Sequence, residues 1–344
     1  MIDLLSYPCA EGEPCEPAAA TLQPLSVPAP YDSFGPLLNY DLSRVDLSRF
    51  PSITARIDRV DVTAWDDDLS KAGFTRLRDA FGSRVTSSRK IRGAEGLFFM
   101  VNDLTSKDLR FLVHHYYSRP IRRFEVAVDF KLREGENDFR HLWLLKAQIR
   151  HCLAPQGFPR LSEALRKVYT SSLDGRGRER GRFVPDGLGT PPAHEQVIWE
   201  NQRQSADVVG LYVKTHDRLE PLQGQPFVRL ELRLRDAGPA SAGLGFLGLL
   251  PAFAESTRTT FAPAFHIASG FKSPAAVSGR GVPRDAWGRW GATWATKHGY
   301  ELKPDAEANM RIGLALKDLR KMFMGIPVPG DLIGRYSDWV DSHS

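Results

Sequence analysis

This chain is poor in cysteine and in long apolar runs, and each shortage excludes a class. Only Cys9, Cys15 and Cys152 occur among 344 residues. No Cys-x-x-Cys pair exists, so neither a disulfide framework nor a zinc site is indicated, and a reducing cytoplasm is the expected setting. The Leu244–Phe253 stretch is short and broken by glycine and proline, far below the length that spans a bilayer. The N-terminus lacks the charged-then-apolar pattern of a signal peptide. There is no GxxxxGK[ST], no GxGxxG after a strand, no GxSxG and no HExxH. An ATPase, a nicotinamide enzyme, an esterase and a zinc protease therefore lack support. No internal repeat at a fixed long period is visible.

What is present is positive charge in clusters. Lys and Arg number 46 against 41 Asp and Glu, a formal net charge of +5. The excess is modest but uneven. It gathers in Arg84–Arg92, in Arg176–Arg182 and late in the segment Asp305–Phe323. Clustering of this kind suits contact with a polyanion backbone, although each tract could also be a solvated charged surface.

Residues 1–48 are rich in Pro, Ser and Ala and read as a poorly ordered arm. Strands are expected over Arg56–Thr63, Leu97–Val101 and Arg122–Leu132. Helices are expected over Asp67–Phe81, whose leading aspartates suit a helix N-terminus, over Ser106–Tyr117, and over Phe139–Leu153. Ser171–Phe183 has four arginines, Arg176, Arg178, Arg180 and Arg182, alternating with Gly and Glu. Without an apolar stripe it reads as a mobile basic loop. A second strand group follows, Val197–Trp199, Val208–Lys214 and Phe227–Arg235, the last two joined by a hairpin signal. A helix over Asp305–Phe323 closes the pattern. The expected fold is α+β, with a mixed, largely antiparallel sheet, helices packed on it and a mostly helical region over 237–344.

The chemistry-bearing residues fall on these strands. In Phe227–Arg235, alternation puts Val228, Leu230, Leu232 and Leu234 on one face, and Arg229, Glu231, Arg233 and Arg235 on the other, read as open. Tyr212 and Lys214 share a face next door. In the strand Arg122–Leu132, Glu125 and Asp129 share a face with Ala127. In Arg56–Thr63, Asp61 goes with Arg59 and Thr63, while Asp58 goes with Val60 and Val62. Carboxylates from two strands can hold a hard cation such as Mg²⁺ or Mn²⁺, or can simply pair with Arg59, Arg123 and Lys131 on a solvated face. Tyr212 could attack a phosphodiester with Lys214 supplying charge, or could be an ordinary packed strand tyrosine. Tyr116 and Tyr117, after His114 and His115, are rival nucleophiles.

The run QVIWENQRQSADVVGLYVKTHDRL followed by FVRLELRLRD resembles the rolling-circle replication initiators of plasmids and filamentous phages. The residues that carry the resemblance are Trp199, Arg203, Ser205, Leu211, Tyr212, Lys214, Arg229, Glu231 and Arg233. Upstream, Arg123, Glu125 and Asp129 stand in the places of an Arg-x-Asp-x-x-x-Asp strand. Glu125 departs from the usual aspartate, Glu200 stands where glycine is expected, and Arg160–Ala193 is a long Arg/Gly-rich insertion.

The resemblance implies an initiator-like nicking domain over 49–236. It would be a metal-dependent endonuclease and joining enzyme of replication origins, with Tyr212 as nucleophile. Asp61, Glu125 and Asp129 would hold Mg²⁺ or Mn²⁺, and Lys214, Arg203 and Arg229 would lie near the scissile phosphate. Arg176, Arg178, Arg180, Arg182, Arg203 and Arg233 are the expected DNA contacts. The implied partners are an origin DNA and a host helicase or polymerase, with a homodimer compatible and no membrane. Two other readings stay open: a non-catalytic nucleic-acid-binding protein, and a metal-dependent nuclease that uses water.

Overall fold

The computed structural model describes residues 41–65, 68–88, 97–134, 139–156, 165–173, 179–184, 196–200, 207–214, 216–217, 220–222, 224–271 and 286–326. The described residues belong to one compact unit. The strands are β1 (Ser52–Ala64), β2 (Val85–Ser88), β3 (Leu97–Asn102), β4 (Ile121–Lys131), β5 (Leu165–Leu173), β6 (Glu179–Val184), β7 (Gln196–Glu200), β8 (Val208–Lys214), the short pair β9 (His216–Asp217) and β10 (Glu220–Pro221), β11 (Phe227–Arg235), β12 (Ala268–Phe271) and β13 (Leu302–Pro304). The helices are α1 (Lys71–Phe81), α2 (Ser106–Tyr116), α3 (Phe139–Cys152), α4 (Gly238–Ser241), α5 (Thr257–Phe261), α6 (Ala286–Lys297), α7 (Ala306–Asp318) and α8 (Arg320–Phe323).

Nine strands form one sheet in the order β2-β3-β1-β4-β11-β8-β7-β5-β6. The fold is α+β, as the sequence implies, and every described pairing in this sheet is antiparallel rather than mixed. The expected strands and the long helices form close to their expected bounds, but three local signals play out differently. The first is the start of α1. Its cap is Ser70, whose side chain accepts from the Gly73 N–H, while Asp68 instead accepts from the Trp65 N–H at 2.9 Å. The second is the final helix, which breaks at Leu319 into α7 and α8. The third is the basic segment 171–183. Its ends pair as the β5–β6 hairpin, with Thr170 opposite Arg182 and Ser172 opposite Arg180. Arg176 and Arg178 lie outside the described residues.

The apolar face of the central strands is the core. Val228, Leu230, Leu232 and Leu234 of β11 stand opposite Phe130, Val128, Val126 and Phe124 of β4, and all eight are buried. Side chains two apart on a strand share a face, so one alternating pattern on each strand builds a continuous apolar layer. Helices close over it. The α7 helix lies against β1 and α3 against β8 and β11, and Phe261 of α5 stacks on Phe124 with centroids 6.1 Å apart. The C-terminal helices are thus part of the same core. Residues 1–40 of the expected arm lie outside the described residues. Leu47, near the arm's end, is buried, and Arg311 of α7 donates to its carbonyl at 3.1 Å.

Candidate active site

The other face of β1, β4, β11 and β8 carries the polar residues; Glu125, Asp129, Arg229 and Glu231 are buried there, while Asp58, Tyr212, Arg123 and Arg233 are half-buried. Registry sets who meets whom. Across β4 and β11, Asp129 faces Arg229, Ala127 faces Glu231, Glu125 faces Arg233 and Arg123 faces Arg235. Across β11 and β8, Arg229 faces Tyr212 and Glu231 faces Gly210. Gly210 brings no side chain, which leaves the side of Glu231 open to its diagonal neighbour Tyr212.

β1 has a bulge between Ile57 and Arg59, where the partner advances only from Val126 to Glu125. An extra residue on one strand interrupts the two-residue alternation. Asp58 is that residue. It therefore turns to the polar face instead of joining Val60 and Val62, as strict alternation requires.

Arg229 is the centre of one half of the cluster. It is wholly buried. Its Nε and Nη2 donate to the two carboxylate oxygens of Asp129 at 2.7 and 2.8 Å, and its Nη1 donates to Asp58 Oδ1 at 2.6 Å. Parallel double donation from a guanidinium to a carboxylate is a strong, orientation-fixing contact. Arg56 also donates to Asp58, at 3.0 Å, and bridges on to Asp103. Burial opposes the Arg229 charge, but Asp129 and Asp58 outweigh it and hold the guanidinium firmly protonated.

The second half is built on acids. Tyr212 donates its hydroxyl to Glu231 Oε2 at 2.8 Å. Arg233 donates to both Glu231 oxygens, at 2.8 and 3.3 Å, and Arg123 donates to Glu125. Burial, then the charge of Glu231, pushes Glu125 up to about 7 against the opposing pull of Arg123, Arg233 and Arg59. Glu231 goes the other way. Burial would raise it, but the charge and hydrogen bonds of Arg233 and the hydrogen bonds from Tyr212 and Glu125 hold it at about 2. Of the two carboxyls, Glu125 is therefore the one that protonates first as pH falls. Tyr212 is held well above the usual phenol range, first by burial and then by Glu231.

Asp58, Glu125 and Glu231 each offer a carboxylate oxygen, and these oxygens lie within 4.8 Å of one another. Convergent carboxylate oxygens of this kind can serve as ligands of a hard divalent cation.

The structure sorts the residues singled out from the sequence. Glu125 and Tyr212 enter the cluster. Asp61 lies outside it, its two oxygens bonded by Arg59 at 2.5 and 2.8 Å. Asp129 lies outside it too, its two oxygens bonded by Arg229. Arg229 in turn is bonded to Asp129 and Asp58 in a buried position, where it anchors the two acids. Arg233 orients Glu231. Lys214 stands two residues beyond Tyr212, across from Phe227. Arg203 lies outside the described residues. Of the rival nucleophiles, Tyr116 is buried against Phe99, 5.1 Å between centroids. The ligand candidates that sequence reasoning missed are Asp58 and Glu231. Glu231 was visible as the one acid among the arginines of its strand, whereas Asp58 was hidden by its bulge.

No family model and no curated protein matches this chain. Among solved structures, a rolling-circle replication initiator protein from Geobacillus stearothermophilus overlaps 80% of this chain and 99% of its own, at 12% identity and a TM-score of 0.37. No described helix is long and apolar enough to cross a membrane.

Proposed function

We propose that this chain is a DNA replication initiator that nicks and rejoins one strand through a covalent phosphotyrosine. One observation carries the reading: the Tyr212 hydroxyl hydrogen-bonds to Glu231 inside a cluster where Asp58, Glu125 and Glu231 converge. A potential nucleophile therefore sits beside a potential cation site, on strands whose motifs resemble those of rolling-circle initiators.

Asp58, Glu125 and Glu231 would hold Mg²⁺ or Mn²⁺. When bound, the ion supplies positive charge that favours phenolate and offsets the charge of a scissile phosphate. The chain's own residues do the remaining work. Glu231 Oε2 fixes the Tyr212 hydroxyl as a hydrogen-bond acceptor, and the phenol proton ends on the departing 3′-oxygen. Arg233 keeps Glu231 ionised and aimed. Arg229 locks Asp58 and Asp129, and so the spacing of β1, β4 and β11. Attack of the Tyr212 oxygen on phosphorus forms the tyrosyl ester and breaks the bond to the 3′-oxygen, which leaves with a proton as a free hydroxyl. The reverse step rejoins the ends without ATP, since the ester preserves the bond's free energy. Origin DNA is the substrate, a host helicase or polymerase would follow at the 3′-hydroxyl, and the setting would be cytoplasmic.

The raised pKa of the half-buried Tyr212 favours a second reading, in which water is the nucleophile and Tyr212 positions it. One experiment separates them. The purified protein is incubated with supercoiled DNA of its own replicon and Mg²⁺ or Mn²⁺, and a covalent adduct is sought. An adduct at Tyr212 is the expected result. Cleavage without an adduct favours the water mechanism, and binding without cleavage favours a non-catalytic binding protein.

A further inference from the structure

The polar face is graded in charge. At the Asp58 end, three acids, Asp58, Asp103 and Asp129, are laced by Arg56 and Arg229. At the other end of the same strands the arginines prevail. Arg235 stands directly across from Arg123, and Arg233 is two residues away on the same face. Like charges placed opposite each other on neighbouring strands repel, so the native state alone gives no reason for this pairing.

A second register shift brings one more arginine. Between Asp61 and Val62 of β1, the partner on β4 moves from Arg123 to Ile121. Arg122 is the extra residue there. Its Nε donates to Thr63 Oγ1 at 3.2 Å, on the face of Asp61. Three arginines thus gather at one corner of the sheet, each partly exposed.

Among the described residues no carboxylate is bonded to the Arg235 guanidinium; Asp207 accepts from the Arg235 backbone N–H instead, at 3.4 Å. Asp61 is taken by Arg59. Glu125 is taken by Arg123, which keeps further donors of its guanidinium. The Arg235 Nε is buried with no hydrogen-bond partner among the described residues. Burial, then the charges of Arg123 and Arg233, lowers the Arg235 pKa from its usual range. Such a strained cationic corner is what an anion would relieve.

We infer that Arg122, Arg123 and Arg235 form a clamp for one backbone phosphate of the DNA strand, beside the nicking centre and distinct from it. The inference rests on the DNA reading above and adds residues to it. Arg235 lies four residues from Glu231 on β11, about 13 Å along the strand. The clamp would therefore hold a neighbouring phosphate rather than the scissile one. A guanidinium fork suits a phosphate oxygen pair, and the register supplies two such forks facing each other.

The test is anisotropy of a fluorescein-labelled dT 15-mer over a range of salt, in EDTA, with the full chain. Arg235→Gln should weaken binding about 5- to 10-fold, and the slope of log affinity on log salt should fall by about 0.7, as for one lost contact to single-stranded DNA. Melting temperature should stay level or rise, because the like-charge pair is removed. A methylphosphonate 15-mer, which lacks the backbone charges, should bind wild type and variant equally. Arg44→Gln, which removes the same charge from an exposed site, should leave affinity unchanged. Arg235→Lys, which keeps the charge without the fork, should fall between.

Three results would overturn the clamp. If wild type binds the 15-mer and Arg235→Gln matches it in affinity and slope, the clamp fails while the DNA reading stands. If Arg235→Gln melts several degrees lower, the arginine is structural. If wild type does not bind the 15-mer at all, the clamp fails, and the incubation with replicon DNA decides the DNA reading by itself.

Discussion

Tyr212 of β8 and Glu231 of β11 are joined by a 2.8 Å hydrogen bond across a strand pair in which neither residue is directly opposite the other. The diagonal contact is possible because the residue opposite Glu231 is Gly210. Replacing Tyr212 with Phe removes the hydroxyl and little else. Adduct formation on replicon DNA should disappear, while DNA affinity should change less than 3-fold. Stability should drop by about 1.5–3 kcal/mol, the usual worth of one hydrogen bond to a charged acceptor. Gel detection of the protein–DNA adduct and denaturant melts check the two halves.

Arg229 compensates two acids inside the fold. Arg229→Met leaves Asp129 and Asp58 buried beside each other without their cation. The expected loss is about 3–5 kcal/mol, the range for removing one partner of a buried ion pair. Adding Asp129→Leu should recover part of that loss. Urea unfolding of the single and double variants measures the coupling, and additive losses would show that the pair is not the source of the effect.

Glu125 sets a pH dependence. Its folded pKa, about 7, exceeds the ordinary value of 4.5, so between those values the folded state holds a proton that the unfolded state releases. The stabilisation is complete below about pH 4.5 and fades as pH rises through 7. In EDTA, the melting temperature of the wild type should fall across that window. Glu125→Gln, which carries no titrating proton, should flatten the profile.

Gly291 breaks α6 with φ 68°, and a Cβ there would sit 2.4 Å from the His151 carbonyl oxygen. Gly299 also has positive φ, 73°, but a Cβ added there would meet nothing within 4 Å. Gly299→Ala should cost about 1–2 kcal/mol from backbone strain alone, and Gly291→Ala should cost clearly more. Equal shifts in thermal melts would show that the His151 contact is easily relieved.

Much of the fold is legible in local pattern. The alternation of β11, and of β4 from Arg123 onward, is unbroken, so their apolar and polar faces follow from sequence alone, and Glu125 and Glu231 are correctly placed on the polar one. The capping box of Thr105 and Asp108 marks the start of α2 in the same direct way. The candidate site was less legible. The acids on that face look alike in sequence. All of them are paired with arginines, and what sets Glu125, Glu231 and Asp58 apart is that their oxygens converge within 4.8 Å.

The amino-acid sequence by itself determined which strands exist, which faces are apolar and that a tyrosine, acids and arginines share one surface, because side chains alternate along a strand wherever pairing is regular. Tertiary structure decided the rest. The bulge that turns Asp58 inward, the register that sets Arg235 against Arg123, and the burial that raises the Glu125 pKa all depend on how neighbouring strands meet, and that is a property of pairs far apart in the chain.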